Sequence, residues 1–552
     1  VNAIAPSPVE RRITVTICRF VRALALALAL FSAVCPARAQ SPPPGSTPAP
    51  AASSGPSLQD AQHLYRTGKL DAAIQEYTQL EGGPQAALAY AGITDVYLAK
   101  KDPQDAYTAA SKAMDLAPKS PDAQVANGEA LFRQGKIHEA EAAFIAVINS
   151  GAGNARAYYG LARVSQTITY FRRMKTMIDK AHELDPNDRD ITRTWMDTLT
   201  LGERIRALHD YLAQETDDDA ETRMAMEREM VTLQDTPTIP AHQCRMTSQI
   251  QSTTTDLREL LDTPTRLRGY GLDVKFNGTT GHLLLDTGAA GILIDQKLAE
   301  KSGVQHVVES SVKGIGDKGS AGAYVGHVDK IQVGDIEFQD CNVRVIDQNS
   351  VINGDGLIGA VEFSHFLVEL DMPNRKMRLS QLPPRPNEES TQTSLGSGQA
   401  AAPTPRFYDR YVAPEMQGYT RIFRINHMLL IPTEMNNSVG KLFLIDTGSL
   451  MNIVAPEAAR EVTNVGDDPN IHVKGVSGEV KNVYSADKLT LAFAHLRQEY
   501  QDMISVDMKN VSDGAGTEIS GTLGFTVLRM LDIKIDYRDA LVWFGYNWKH
   551  PF

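Results

Sequence analysis

The chain runs to 552 residues, 42% of them hydrophobic and 22% charged, which calls for two to four globular domains and excludes disorder as the dominant state. A formal net charge of −12 and a pI near 5.6 leave no basic surplus for a nucleic-acid partner. The 13 histidines form no His-Glu-x-x-His and the four cysteines no Cys-x-x-Cys, so neither a metal site nor a cofactor is expected.

Residues 1–39 read as a secretory signal peptide. Arg11, Arg12, Arg19 and Arg22 make a basic n-region, Ala23 to Val34 an apolar h-region, and Ala37-Arg38-Ala39 a small-x-small site for cleavage after Ala39. The apolar stretch is too short to span a bilayer comfortably, so no stable membrane span is expected after cleavage. A periplasmic or secreted bacterial protein is the expectation, and the initial Val1 is consistent with a non-Met bacterial start codon or with a fragment. Cys18 and Cys35 fall in the signal, leaving Cys244 and Cys341; in an oxidising compartment they form a disulfide or remain two separate buried thiols, and the spacing leaves both open. Residues 40–56, rich in Pro, Ser, Ala and Gly, read as a flexible linker.

From 57 to 235 the pattern is helical with a period near 34. Ala106 and Ala140 are one period apart, Ala113, Val147 and Ala181 step by one period each, and Pro118 and Pro186 are two apart. The clearest unit is Asn127-Gly128-Glu129-Ala130-Leu131-Phe132 followed by Gly135-Lys136 and Ala140; an earlier copy runs through Leu64-Tyr65, Gly68-Lys69, Ala73 and Tyr77. A fourth, Tyr158 to Pro186, is degenerate, with Thr169 and Met174 where Gly and Ala are favoured. The unit resembles the tetratricopeptide repeat, in which small residues let paired helices approach and a proline ends each unit. The resemblance implies an all-α solenoid whose concave face holds a protein partner or substrate; packing against the rest of the chain is the other reading. Thr200 to Gln214 and Ala220 to Leu233 extend it as connector helices, and Asp217-Asp218-Asp219 reads as a solvated loop.

Two segments, 240–382 and 405–552, then carry the same succession of features, separated by the low-complexity stretch 383–404. Asp286-Thr287-Gly288 follows Leu283-Leu284-Leu285, and Asp446-Thr447-Gly448 follows Leu442-Phe443-Leu444-Ile445. An apolar run reads as a buried strand and Asp-x-Gly as a tight loop at its end; by average usage one such triplet is expected about 0.1 to 0.2 times in a chain of this length. Counted from each Asp, Ile294 and Val454 lie at +8, Ala299 and Ala459 at +13, Gly314 and Gly475 at +28 and +29. Leu357-Ile358-Gly359 then answers Thr522-Leu523-Gly524, with Asp371 and Asp536 each 12 residues after the Gly. Ordered similarity at near-constant offsets reads as an internal duplication.

These two segments resemble the aspartic peptidases, specifically the retropepsin-like bacterial aspartyl proteases, and two lobes in one chain are also similar to pepsin. The resemblance rests on hydrophobic-hydrophobic-Asp-Thr-Gly, on the later hydrophobic-hydrophobic-Gly and on the Gly-bearing hairpins Val312 to Val325 and Val473 to Val483. It implies two all-β barrel lobes, catalytic Asp286 and Asp446, loop support from Thr287, Gly288, Thr447 and Gly448, and substrate-covering flaps at Gly314, Ile315, Gly316, Gly475, Val476 and Ser477. Two carboxyls within hydrogen-bonding distance cannot both ionise; one then serves as general base on a water while the other, protonated, polarises a peptide carbonyl. The expected activity is therefore endopeptidase cleavage of a peptide or protein substrate. A catalytically silent peptide-binding scaffold, and lobes pairing between chains, stay open as alternatives. The second lobe departs further from the family pattern, with Ser449 opposite Ala289 and Thr522 at an apolar position.

Overall fold

A computed structural model describes residues 55–214, 218–234, 244–317, 320–346, 354–386, 407–476 and 478–546. The predicted signal, most of its linker, most of the low-complexity stretch and Ser477 lie outside the described residues.

Helices occupy Leu58 to Gln234, with the connector helices at Leu201–Leu212 and Ala220–Gln234. None among the described residues is long and apolar enough to cross a membrane. Small residues are needed where helices cross: a Cβ added to Gly128 or Gly160 would lie 2.6 or 2.3 Å from the ring of Phe144, which is fully buried. Left-handed turns join the helices of a repeat at Gly68 (φ 75°) and Gly135 (φ 78°), where glycine is the least strained residue. Thr169 adopts the same conformation (φ 59°) without being glycine. The repeat that reads as degenerate thus keeps its turn and uses the extra hydroxyl: Thr169 Oγ1 donates to the Asp539 carbonyl of the second lobe and accepts from Arg410 Nε.

Each lobe is a sheet closed on itself. In the first, strands Arg266–Phe276, Thr279–Asp286, Gly356–Gly359, Ile292–Asp295, Ile336–Ile346 and Ser320–Val333 follow one another around a ring. In the second, Met428–Met435, Ser438–Ile445, Gly521–Leu523, Ile453–Val454, Leu496–Val506 and Val483–Phe493 do the same. The order of the six strands is identical, so the duplication seen as residue offsets is a duplicated barrel. A third, six-stranded sheet joins the lobes: Phe366–Asp371 pairs antiparallel with Leu531–Asp536, and these are the strands that end in Asp371 and Asp536.

The helical half is not a separate body. Phe132, Ile137 and Phe144 belong to one continuous hydrophobic core with both barrels. Gly135 sits against Leu442, Arg133 pairs with Asp513 at 2.6 Å with both side chains nearly buried, and the Glu518 N–H donates to the Arg133 carbonyl. Asp409 accepts from the N–H groups of Arg172 and Arg173 at the exposed start of helix Phe171–Leu184, satisfying donors that a helix N-terminus leaves unpaired. The repeat array therefore packs against the β half, the second of the two readings, whatever else it binds.

Cys244 and Cys341 form a disulfide, which resolves the alternative left by their spacing. It fastens strand Arg245–Met246 to the barrel strand Ile336–Ile346. The bridge closes a span of 97 residues, so restricting the unfolded chain contributes about 2–4 kcal/mol. Reduction, or replacement of both cysteines by serine, is expected to lower the midpoint of urea unfolding accordingly; an unchanged midpoint would contradict this assignment.

Candidate active site

Both aspartates stand at the ends of buried barrel strands. Leu283, Leu284 and Leu285 are buried, and strand Gly356–Gly359 runs parallel beside them, pairing Ile358 with Leu285 and Gly359 with Asp286. In the second lobe Leu523 pairs with Ile445 in the same way. Thr522 preserves this register although it is fully buried, and its hydroxyl has no hydrogen-bond partner. That departure changes the polarity of the strand, not its geometry.

The two loops interlock. The Thr287 N–H donates to Thr447 Oγ1 and the Thr447 N–H to Thr287 Oγ1, both at 3.0 Å; each hydroxyl in turn donates across to the opposite strand, Thr287 to the Ile445 carbonyl and Thr447 to the Leu285 carbonyl, both at 2.7 Å. Gly288 and Gly448 are glycine because the facing carboxyl leaves no room. A Cβ on Gly448 would lie 2.2 Å from Asp286 Oδ2, and one on Gly288 would lie 2.8 Å from Asp446 Cγ. Asp286 and Asp446 thus face each other within one chain, their side chains hydrogen-bonded.

Their environments differ. Asp286 Oδ1 accepts one backbone N–H, from Gly288 at 2.7 Å, whereas Asp446 Oδ1 accepts two, from Gly448 at 2.9 Å and Ser449 at 3.0 Å. Burial pushes both carboxyls above the usual range; the charge of Asp446 drives Asp286 well above it, while the two N–H donors restrain Asp446. Of the two carboxyls, Asp286 is therefore held further above the ordinary range than Asp446.

The two hairpin tips meet each other. Hairpin Gln305–Lys313/Ser320–Val333 brings Gly314, Ile315 and Gly316 to the short hairpin Val473–Gly475/Gly478–Val480, which holds Gly475 and precedes Val476 at its turn. Gly475 has the Ile315 carbonyl where a Cβ would lie, 2.1 Å away, and Gly314 faces Val476. The Asp317 N–H donates to the Glu479 carbonyl, and Asp317 Oδ2 accepts from the Lys481 N–H at 2.9 Å. Five of the six predicted flap residues are thus brought together, and Ser477 lies outside the described residues.

Three residues of the site escape sequence reasoning. Asn510 Nδ2 donates to the Gly316 carbonyl at 3.2 Å. Arg268 Nη2 donates to the Gly448 carbonyl at 2.8 Å, and the His427 ring stands beside the Gly288 backbone. Only Arg268 and His427 left a usable signal: each is a basic residue 18 or 19 positions before its lobe's aspartate. Among the described residues no three His, Cys, Asp or Glu side chains converge as a metal site.

Residues 272–361 match the family model described as aspartyl protease, and residues 97–164 the one described as tetratricopeptide repeat. The chain combines an aspartyl-protease domain with tetratricopeptide repeats. Among solved structures it is similar to the aspartic proteinase from Irpex lacteus, at 13% identity, over 54% of this chain and 98% of that one, with a TM-score of 0.33. No curated protein matches. The aspartyl-protease match spans the first barrel, the lobe that departs less from the family pattern.

Replacing Thr447 by valine removes a donor and an acceptor together, leaving the Thr287 N–H and the Leu285 carbonyl buried without partners. The expected loss is about 2–5 kcal/mol, read as a lower urea midpoint, with Thr447→Ser close to wild type. A valine variant as stable as wild type would show that the crossed bonds do not hold the lobes together.

Proposed function

We propose that this chain is an exported aspartic endopeptidase that cleaves peptide bonds with a water activated between Asp286 and Asp446. The observation that carries the proposal is the interlocked pair of Asp-Thr-Gly loops, whose carboxyls face each other within a single chain. That arrangement favours an internal dyad over lobes that pair between chains. In the proposed mechanism Asp446, the better hydrogen-bonded and ionised member, removes a proton from the water as it attacks the peptide carbonyl. Asp286 donates its proton to the carbonyl oxygen, giving a neutral gem-diol intermediate. Asp446 then returns its proton to the leaving nitrogen, and Asp286 recovers one as the diol collapses to the carboxylic acid. The flap tips at Ile315 and Gly475 would close over the substrate and exclude bulk water. Export is supported by the Cys244–Cys341 bridge, which persists in an oxidising compartment.

Cleavage should need one proton on the pair, no more and no fewer. It is expected to fall on the acid side as Asp446 is protonated and on the basic side as Asp286 loses its proton, giving a bell-shaped profile. Asp286→Asn and Asp446→Asn are each expected to abolish hydrolysis of a fluorogenic peptide library while leaving the circular dichroism spectrum unchanged. Residual turnover by either purified variant would falsify a single shared dyad. A folded wild type that cleaves nothing from acidic to neutral pH would favour the scaffold.

The helical half is proposed to hold a protein partner or a part of the substrate in its concave face. A cavity of about 560 Å³ there is lined by Tyr65, Tyr77, Asp95, Arg156 and Asp188, among others. Arg156 is already taken by Asp188 and Asp190, whereas Asp95 has no hydrogen bond or ion pair among the described residues. Burial pushes the Asp95 carboxyl up to about 7, so its contribution to stability is full below the ordinary carboxylate range and is lost as pH rises through about 7. Asp95→Asn should therefore make the free protein more stable than wild type at pH 8, by about 1–3 kcal/mol, with little difference at pH 4. Equal unfolding midpoints at pH 8 would show that Asp95 is not desolvated in this cavity.

A further inference from the structure

The two lobes exchange more than threonine hydroxyls. Strand Arg266–Phe276 begins the first barrel, and its equivalent Met428–Met435 begins the second. Arg268 in the first and His427 at the entrance to the second each reach across to the other lobe's Asp-Thr-Gly loop. Arg268 donates to the Gly448 carbonyl, and the His427 ring stands beside the Gly288 backbone. The latches occupy equivalent places and carry different charge. Arginine is a permanent cation. Burial, with Arg344 and Arg424 nearby, pushes the His427 imidazole below its ordinary value, so this latch is neutral near neutral pH.

The arginine side is also the side nearer the dyad chemistry. Gly448, whose carbonyl receives Arg268 Nη2, has Asp286 Oδ2 where its own Cβ would be, so Arg268, Gly448 and Asp286 stand in sequence through space. Arg268 Nη1 is buried and has no hydrogen-bond partner, and among the described residues no carboxylate lies within ion-pair distance of the guanidinium. Its charge is therefore not neutralised locally. The negative charge it complements is that of the dyad: Arg268 favours the ionised form of both Asp286 and Asp446. Tyr537, a buried phenol kept protonated, feels the Asp286 charge, and Arg424 donates to the Tyr537 carbonyl.

We propose that Arg268 is a positioning residue for the dyad: it clamps the second Asp-Thr-Gly loop through Gly448 and supplies a fixed positive charge that favours ionisation of the carboxyl pair. The inference rests on the proposed peptidase reading for its role in cleavage, though not for its effect on the carboxyls. A uniform positive charge beside both groups moves both limbs of the pH profile in the same direction, toward acid. Loosening a loop lowers the rate but moves neither limb.

Three variants separate the two effects. Arg268→Met removes bond and charge and is expected to move both limbs of the kcat/KM profile to higher pH by about one unit, a tenfold loss on the acid flank. Arg268→Lys keeps the charge and should restore the limbs, while His427→Gln weakens the opposite latch without removing a charge and should lower kcat with the limbs in place. The same titration is read without turnover from the pH dependence of inactivation by a small epoxide, which only an ionised carboxylate opens. If Arg268→Met does not fold, Arg268→Gln, which keeps a donor for Gly448 and loses the charge, carries the measurement. Limbs and epoxide titration unmoved in a folded Met or Gln variant overturn the proposal. An inert wild type whose epoxide titration shifts with Arg268 would sink the peptidase reading and leave this inference standing.

Discussion

Two carboxyl groups pressed together in a buried place repel each other once both ionise, and everything around them has to resist that separation. The first restraint is the pair of threonines, whose hydroxyls serve the opposite loop as acceptor and the opposite strand as donor. Because each hydroxyl is used twice and is buried, the lobes cannot slide apart without leaving main-chain groups unpaired. The second restraint is the shared sheet in which Phe366–Asp371 and Leu531–Asp536 continue one another's hydrogen bonding. The helical half packs on the second lobe through Arg133, Gly135 and Thr169 and so steadies one side of the pair.

Duplication accounts for the symmetry of this arrangement, and divergence for its use. Two identical lobes would give two equivalent carboxyls and no reason for the proton to prefer either. Here the second loop offers the Ser449 N–H as an additional donor, which favours the ionised form of Asp446. The flaps have diverged too: a long hairpin in the first barrel meets a short two-stranded one in the second, and the contact between them is correspondingly lopsided. The residues that departed from the pattern are placed where the two lobes perform unequal tasks.

The barrels and the aspartate loops were legible because each depends on local pattern. Leu283 to Leu285 and Leu442 to Ile445 announce buried strands by composition, and constant offsets announce that one fold occurs twice. Ala299 and Ala459, at the same offset from their aspartates, lie in the corresponding short helices Gln296–Lys301 and Pro456–Arg460. Asn510 was not legible, since its partner Gly316 lies 194 residues away in the chain and no neighbouring residue records the contact; Arg268 and His427 left only their matching offsets before the two aspartates. Thr169 was readable only as a defect in the repeat. Its hydroxyl has a purpose that appears once the second barrel is beside it, so conformity to a repeat pattern was the wrong standard for a residue at an interface.

Solenoid arrays ordinarily lengthen and shorten freely in evolution, because each repeat touches only its neighbours. This one has lost that freedom. The turn at Gly135 sits on Leu442 and the turn at Thr169, one period later, on Asp539, so two successive units are held at fixed places on a rigid barrel. Insertion or deletion of a repeat between them would displace one contact by a whole unit. The number of units in this part of the array is set by the β half, and a spacing that looks like inherited periodicity is maintained as a distance between two docking points.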